Sequence, residues 1–343
     1  MTEKKKRGLI ITAAILAAVI LVYAVIALLP RPDNYALDNP MMKDGELPIL
    51  IAHGGGNKEF PDNTLEAFLN AYSVDKRVMM ETDVSITNDG VVILSHDVRI
   101  DRKTNAVGAI SDWNYSDLMD REIDFGYTND TEDQVFVEGS ERERFRNELG
   151  KVVTPLDVTY PEGISPRHSS IFLATTLEEL ILAFPDNYIN VEIKQSGELG
   201  IKALKATLDV IEKHDAFDHV VLASFHGKIY SEFQRMVRAG EVPEGFMCSP
   251  GIMNIAKYYA LSMCSLDTFY RNSTAVFQLP MEEVGVCFAT ERLVKNAHKH
   301  NIAVQYWTID DEEEMRRLID LGADGIMTNY PNRLKAVLDS CAK

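Results

Sequence analysis

Two histidines bracket a Glu-x-Asp pair: His53 in Ile51-Ala52-His53-Gly54-Gly55-Gly56, then Glu81-Thr82-Asp83, then His96-Asp97. Each follows a short hydrophobic run of the kind that forms a buried strand. Side chains two apart on a strand share a face, so Glu81 and Asp83 can share one ion. In Asn190-Val191-Glu192-Ile193-Lys194 the same period puts Glu192 and Lys194 on one face and Val191 and Ile193 on the other. Glu192 then completes a three-carboxylate set, whose all-oxygen chemistry suits Mg²⁺ or Ca²⁺ better than zinc. Two imidazoles to move protons and a divalent cation to neutralise phosphate charge are the equipment for hydrolysing a phosphodiester. Lys194 either adds a second positive charge to that site or simply pairs with Glu192. Each fragment alone is common on protein surfaces; their order, at the ends of successive strands, is what points to a site.

To converge, these residues must sit on neighbouring strands. From Leu47 onward short apolar runs alternate with amphipathic stretches, the pattern of βα units on a parallel sheet. Strands are expected over 49–53, 78–83, 188–194, 220–224, 245–248, 275–278, 303–308 and 325–328. Eight such strands predict an α/β chain folded as a closed (β/α)8 TIM barrel, whose strand carboxyl ends form the reaction face. His53, Glu81, Asp83, Glu192 and Trp307 all fall near those ends. Asn63 or Thr64 is expected to open a helix running through Tyr72, Thr176 to open another with Glu179 at the capping-box position, and Asp310 a third that runs to Leu321 and stops at Gly322. Residues 114–174 break the repeat. They are rich in charge with isolated aromatics (Phe125, Tyr127, Phe136, Phe145), and are expected to form a small insertion after the region of the second strand (78–83) that covers the reaction face.

The amino-terminal region has its own logic. Residues 1–7 carry four basic groups and one acid, and residues 8–29 are 22 in a row without a charged side chain. About 20 apolar residues span a bilayer. The basic cluster should remain cytoplasmic by the positive-inside rule. A cleaved signal peptide is the rival, but the apolar run exceeds the usual 7–15-residue core and no small-residue cleavage site follows. The expected organisation is therefore a cytoplasmic tail (1–7), a single transmembrane anchor (8–29), a polar, proline-bearing tether (30–46) and an extracytoplasmic barrel (47–343) at the cell membrane. The net charge of the whole is −17, and the first seven residues contribute +3, which leaves −20 on the remainder. So acidic a body repels nucleic acid, and positive potential at an anion site must come from a metal. Cys248, Cys264, Cys287 and Cys341 show no zinc-ligand spacing and are expected as scattered buried thiols.

The stretch from Ile51 to Gly108 resembles the glycerophosphodiester phosphodiesterase family, part of a wider superfamily of barrels like the phosphatidylinositol phospholipases. The family pattern runs His-Arg-Gly, Glu-Asn-Thr, Glu-x-Asp, Thr-x-Asp-Gly, His-Asp. Here it reads His53-Gly54-Gly55, Asp62-Asn63-Thr64, Glu81-Thr82-Asp83, Thr87-Asn88-Asp89-Gly90 and His96-Asp97. The likeness continues through Val191-Glu192-Ile193-Lys194 and Tyr306-Trp307-Thr308 to Thr328. It implies a membrane-anchored, bacterial-type member that cleaves glycerophosphodiesters to sn-glycerol 3-phosphate and an alcohol. The resemblance assigns His53 and His96 as the acid/base pair and Glu81, Asp83 and Glu192 as ligands of Mg²⁺ or Ca²⁺. Lys194, Gly54, Phe225 and Trp307 are expected to contact substrate, the two aromatics being either cleft wall or plain core.

The family arginine after the first histidine is Gly54 here, and arginine is not easily replaced where it grips phosphate. The glycine run is expected to let backbone N–H groups approach an anion, with Lys58, Lys194 or Arg102 supplying charge. Outside the cell the diester would come from deacylated lipid head groups, lysophospholipids or polyglycerol-phosphate polymers. Two other readings stand beside this one. One is a phospholipase of the phosphatidylinositol or lysophospholipase D type. The other is a catalytically degenerate, membrane-bound binding protein.

Overall fold

All eight expected runs become strands in the computed structural model, which describes residues 3–43, 45–127 and 143–342. In chain order the strands are β1 (Ile49–His53), β2 (Met79–Ile86), β3 (Val92–Leu94), β4 (Ile189–Ile193), β5 (Val220–Ala223), β6 (Met247–Cys248), β7 (Val276–Leu279), β8 (Glu282–Glu283), β9 (Val286–Cys287), β10 (Ala303–Tyr306) and β11 (Gly325–Thr328). Eight of them pair in parallel in the order β6-β5-β4-β2-β1-β11-β10-β7. The two ends of that path are joined by one backbone bond, from Ala275 N–H to the Cys248 carbonyl at 3.3 Å. The result is a nearly closed (β/α)8 barrel. β3 folds back antiparallel on β2, which carries β2 three residues past the expected end at Asp83. β8 and β9 form a separate hairpin beyond β7.

The strands are buried on both faces, as parallel barrel strands must be when helices cover the outside. Ile51, Met79, Val221, Val276 and Ala303 fill the interior, fully buried. Above them lies a polar layer in which the Gln278 amide donates to Asn190 Oδ1 at 2.9 Å and to Gln305 Oε1 at 3.1 Å. Helix starts follow the local chemistry. Thr64 caps Leu65–Val74 by accepting from the Ala67 N–H. Thr176 and Glu179 close a reciprocal capping box on Leu177–Ala183. The third start is displaced by one residue: Asp311 caps Glu312–Asp320, because the Asp310 carboxylate is engaged by Asn329. Gly322 follows at φ +78, a left-handed position that favours glycine.

Helix Glu3–Leu28 is long and apolar enough to cross a membrane, with mean hydropathy 3.0 over an 18-residue window, and none of its residues is buried. The segment after it is no loose tether. Residues 30–43 run across the amino-terminal ends of the strands and are bonded to the loops there through Arg31, Asn34, Tyr35, Asn39 and Lys43. Arg31 makes a bidentate pair with Asp267 at 2.9 and 3.1 Å. Asn34 Nδ2 donates to His300 Nδ1 at 3.1 Å. The Tyr35 hydroxyl donates to the Gly245 carbonyl, Asn39 Nδ2 to the carbonyls of Ala275 and Asn301, and the Lys43 N–H to Asp324. Met41, fully buried, plugs the bottom of the barrel beside Ile51 and Met79. The polarity of this segment satisfies loop carbonyls at the barrel floor, and for that reason its composition alone resembles a linker.

Two other expectations change. Of the four free thiols only Cys248 is buried; Cys264 and Cys287 are exposed, each lying at the end of an element where side chains turn outward. In the insertion, Phe125 and Phe145 are core residues packed with Phe172, not a groove. Among the described residues none from 114–174 lines the cleft, and Phe136 lies outside the described residues.

Candidate active site

Parallel register brings the carboxylates together. Glu81 on β2 is opposite His53 on β1, and Asp83 is opposite Glu192 on β4. Adjacent strands lie about 4.8 Å apart, so two carboxylates on one face of β2 and one at the matched position of β4 fall around one point. Glu81, Asp83 and Glu192 are all buried, and one oxygen from each lies within 4.8 Å of the others. Lys194, just past β4, reaches Asp83 at 3.1 Å and Glu192 at 3.2 Å. One ammonium among three carboxylates leaves the cluster short of positive charge.

The protonation pattern shows that shortage. Burial and the charge of Asp83 push Glu81 up to about 8, and burial pushes Glu192 up to about 7 although Lys194 opposes it. Asp83 is held below its ordinary value; burial opposes this, but Lys194, His96 and His53 outweigh it. Asp83 Oδ1, buried, accepts no well-angled hydrogen bond and faces only the Lys194 ammonium. An all-oxygen, electron-rich set with such an atom fits a hard divalent cation.

Both imidazoles are held from behind. His53 Nδ1 lies 2.7 Å from Asn329 Oδ1, and Asn329 Nδ2 donates to Asp310 at 2.7 Å. Because the Asn329 amide gives its N–H to a carboxylate, its oxygen faces the ring, so Nδ1 carries the hydrogen and Nε2 the lone pair. Nε2 lies 4.0 Å from Glu81 Oε2. His96 Nδ1 bonds Asp97 at 3.0 Å, and Arg102 grips the same carboxylate through two bonds of 2.6 and 3.0 Å. Burial works to lower the His96 pKa, but the Asp97 hydrogen bond and the Asp83 charge outweigh it and hold it above its usual value.

The cleft is lined by His53, Glu81, His96, Glu192 and Lys194 on one side and by Phe225, Ile255 and Trp307 on the other. Phe225 and Trp307 meet edge to face with centroids 5.7 Å apart, and Phe225 is 47% exposed. They are therefore cleft wall, not core. Gly54 is placed differently from the expectation. Its N–H donates to Glu81 Oε2 at 2.9 Å, so it positions a carboxylate and is not turned to a bound anion. It sits at φ +54, and a Cβ there would come within 2.9 Å of Asp62 Cβ. Of the charges considered as compensation, only Lys194 lines the cleft; Arg102 is behind His96, and Lys58 is not in the wall.

The supporting groups Asn329, Asp310 and Asn63 escaped sequence reasoning. Asn63 Nδ2 donates to Asp83 Oδ2 at 3.2 Å while its Oδ1 accepts from Thr82. Beneath it, Asp62 is ion-paired with the buried Lys103. The one available signal was position: Asn329 is the first residue past the carboxyl end of β11, the neighbour of β1.

A parallel barrel with paired, supported imidazoles and a buried acidic cluster at its carboxyl-terminal mouth defines a TIM-barrel enzyme. Residues 53–333 match the profile of the glycerophosphoryl diester phosphodiesterase family, and the chain belongs to that family of phosphoric diester hydrolases. It is 26% identical over 290 residues to a glycerophosphodiester phosphodiesterase of Caldanaerobacter subterraneus subsp. tengcongensis, covering 83% of this chain and 96% of that one. It is 22% identical to a lysophospholipase D of Rattus norvegicus, covering 84% of this chain and 86% of that one. Among solved structures, the glycerophosphoryl diester phosphodiesterase domain of a Mycobacterium tuberculosis protein superposes with TM-score 0.63 at 16% identity, covering 85% of this chain and 99% of that one. An Oleispira antarctica phosphodiesterase in complex with sn-glycerol-3-phosphate superposes with TM-score 0.59 at 18% identity, covering 85% and 97%. At these identities the structural likeness speaks for the fold.

Proposed function

We propose that this protein hydrolyses glycerophosphodiesters to sn-glycerol 3-phosphate and an alcohol, on the outer face of a membrane to which its amino-terminal helix anchors it. The observation that carries the reading is the three-carboxylate cluster flanked by two imidazoles, each held by its own partner. Glu81, Asp83 and Glu192 would hold Mg²⁺ or Ca²⁺, which supplies Lewis-acid stabilisation of charge on the phosphoryl oxygens. Lys194 orients the carboxylates and adds positive charge beside them.

The two histidines differ in what stands behind them. A neutral amide fixes the His53 tautomer without adding charge, which suits Nε2 to accept the proton of the attacking hydroxyl or water. A carboxylate behind His96 favours its protonated form, which suits it to give a proton to the departing alkoxide. The nucleophile is water or the neighbouring glycerol hydroxyl; the latter would release a cyclic phosphate before glycerol 3-phosphate. Phe225 and Trp307 offer an apolar wall for the alcohol, a feature that also favours a lysophospholipid as a second reading.

The test uses the full chain in detergent with glycerophosphocholine or glycerophosphoglycerol, EDTA, and then Mg²⁺ or Ca²⁺ added back. Glycerol 3-phosphate release that returns with one cation and is lost in His53→Ala supports the reading. Absence of release with either diester and either cation overturns it.

A further inference from the structure

The barrel and the apolar helix are joined without slack. The helix ends at Leu28, and by Arg31 the chain is already locked to the Asp267 carboxylate, whose side chain is fully buried and also contacts His300. Thr268 donates to the Pro30 carbonyl at 3.0 Å, and the Tyr23 hydroxyl, inside the helix, donates to the Cys264 carbonyl at 2.6 Å. Cys264, Asp267 and Thr268 all precede β7, so they lie at the amino-terminal mouth, opposite the mouth that carries His53 and the carboxylates. The helix does not turn back along the barrel, since none of its residues is buried. Around its exit Leu29, Met263 and Phe269 are 40%, 52% and 53% exposed, apolar groups suited to a membrane interface.

Resting on the anchored phosphodiesterase reading, we propose that residues 30–43 clamp the barrel with its amino-terminal mouth on the bilayer and its catalytic mouth facing away. The substrate class is thereby limited to diesters that arrive from the aqueous side, such as free head-group diesters or extended polymers. Phospholipids seated in the same membrane are excluded. Five-residue strands at about 3.3 Å per residue, tilted by about 36°, separate the two mouths by about 13 Å before loops are counted. A diester in the lipid head-group layer lies outside the reach of His53 and His96 unless the lipid leaves the bilayer. A loose tether would permit the barrel to roll over; a buried ion pair three residues from the helix end does not.

Two native exposed cysteines mark the two mouths: Cys264 at the anchor side and Cys287 on the β8–β9 hairpin at the catalytic side. The full chain, with Cys264 or Cys287 kept and the other, together with the half-buried Cys341, changed to serine, is placed in phosphatidylcholine vesicles carrying a head-group nitroxide. Each thiol is labelled with a fluorophore. The expected result is quenching several-fold stronger at Cys264 than at Cys287, with free glycerophosphocholine turned over and lysophosphatidylcholine in those vesicles left intact. In Arg31→Ala the Cys287 quenching should rise while glycerophosphocholine turnover stays unchanged. Equal or stronger quenching at Cys287 in the unaltered chain, or lysolipid cleavage faster than its free monomer in the same buffer supports, overturns the clamp. Failure to float with vesicles overturns the anchor and the clamp together. Loss of glycerophosphocholine turnover with the quenching pattern intact removes the phosphodiesterase reading and leaves the orientation standing.

Discussion

Asn329 stands between His53 and Asp310, its oxygen 2.7 Å from the His53 ring and its nitrogen 2.7 Å from the carboxylate. The residue past the last strand thereby sets the tautomer of the residue ending the first. Asn329→Leu should lower kcat on the order of 10- to 100-fold with little change in KM, because orientation is lost and binding is kept. Asn329→Asp tests the electrostatic half. A charge at Nδ1 stabilises protonated His53, so the acidic limb of the kcat/KM profile should move to higher pH by about one unit. An unmoved limb would remove His53 as the base.

The Asp97 carboxylate is the corresponding support for His96. In Asp97→Asn the imidazolium loses its partner, and the basic limb of the rate profile should shift to lower pH. Stability should respond in the same sense. A histidine whose folded pKa lies above its unfolded value contributes stability below about 6.5 and loses it as pH rises through the folded value. The Tm difference between pH 5.5 and pH 8 should therefore shrink in the variant. Equal differences in both proteins would mean that His96 titrates elsewhere.

Cation binding should be read in protons as well as in rate. With EDTA present, Glu81 at about 8 and Glu192 at about 7 hold protons that an unfolded chain would release near 4.5. The folded state then binds more protons than the unfolded one, and stability falls as pH rises from about 4.5 through 8. Mg²⁺ or Ca²⁺ should restore Tm most strongly at pH 8.5, and calorimetry at pH 7 should detect proton release on binding. Glu192→Gln should weaken both effects. An EDTA-treated protein with flat Tm across this range, unmoved by either cation, would exclude the cluster as a metal site.

Restoring the family arginine should not help this chain. At φ +54 a side chain costs about 1–2 kcal/mol, and its Cβ would press on Asp62 at 2.9 Å. Gly54→Arg should lower Tm by a few degrees and leave kcat/KM no higher. Gly54→Ala, sharing the strain but not the charge, should lose a similar amount of stability. A gain of activity in Gly54→Arg would show that the glycine marks a lost contact and not a different local backbone.

The three-carboxylate cluster was legible in the chain because a strand places every second side chain on one face, and the two histidines beside it because each follows an apolar run. Glu81 with Asp83, and Glu192 with Lys194, needed only that period and a parallel sheet to meet. The eight strands and three helix starts were legible for similar local reasons, namely apolar runs between breakers and short capping motifs. The groups that hold the site were not. Asn329 is 276 residues from His53, and only barrel closure brings them together. Gly54 looked like a phosphate-binding turn until the register placed Glu81 on its N–H. The segment after the apolar helix has the composition of a linker, yet Arg31, Tyr35 and Asn39 answer a carboxylate or carbonyls at the barrel floor. Local periodicity and capping are properties of neighbours in the chain, so sequence alone determined the strands, the acidic cluster and the apolar helix. Partner choice among distant polar groups depends on which loop ends share a mouth of the barrel. Only the tertiary structure decided the supports behind the histidines, the use of Gly54 and the docking of residues 30–43 at the amino-terminal mouth.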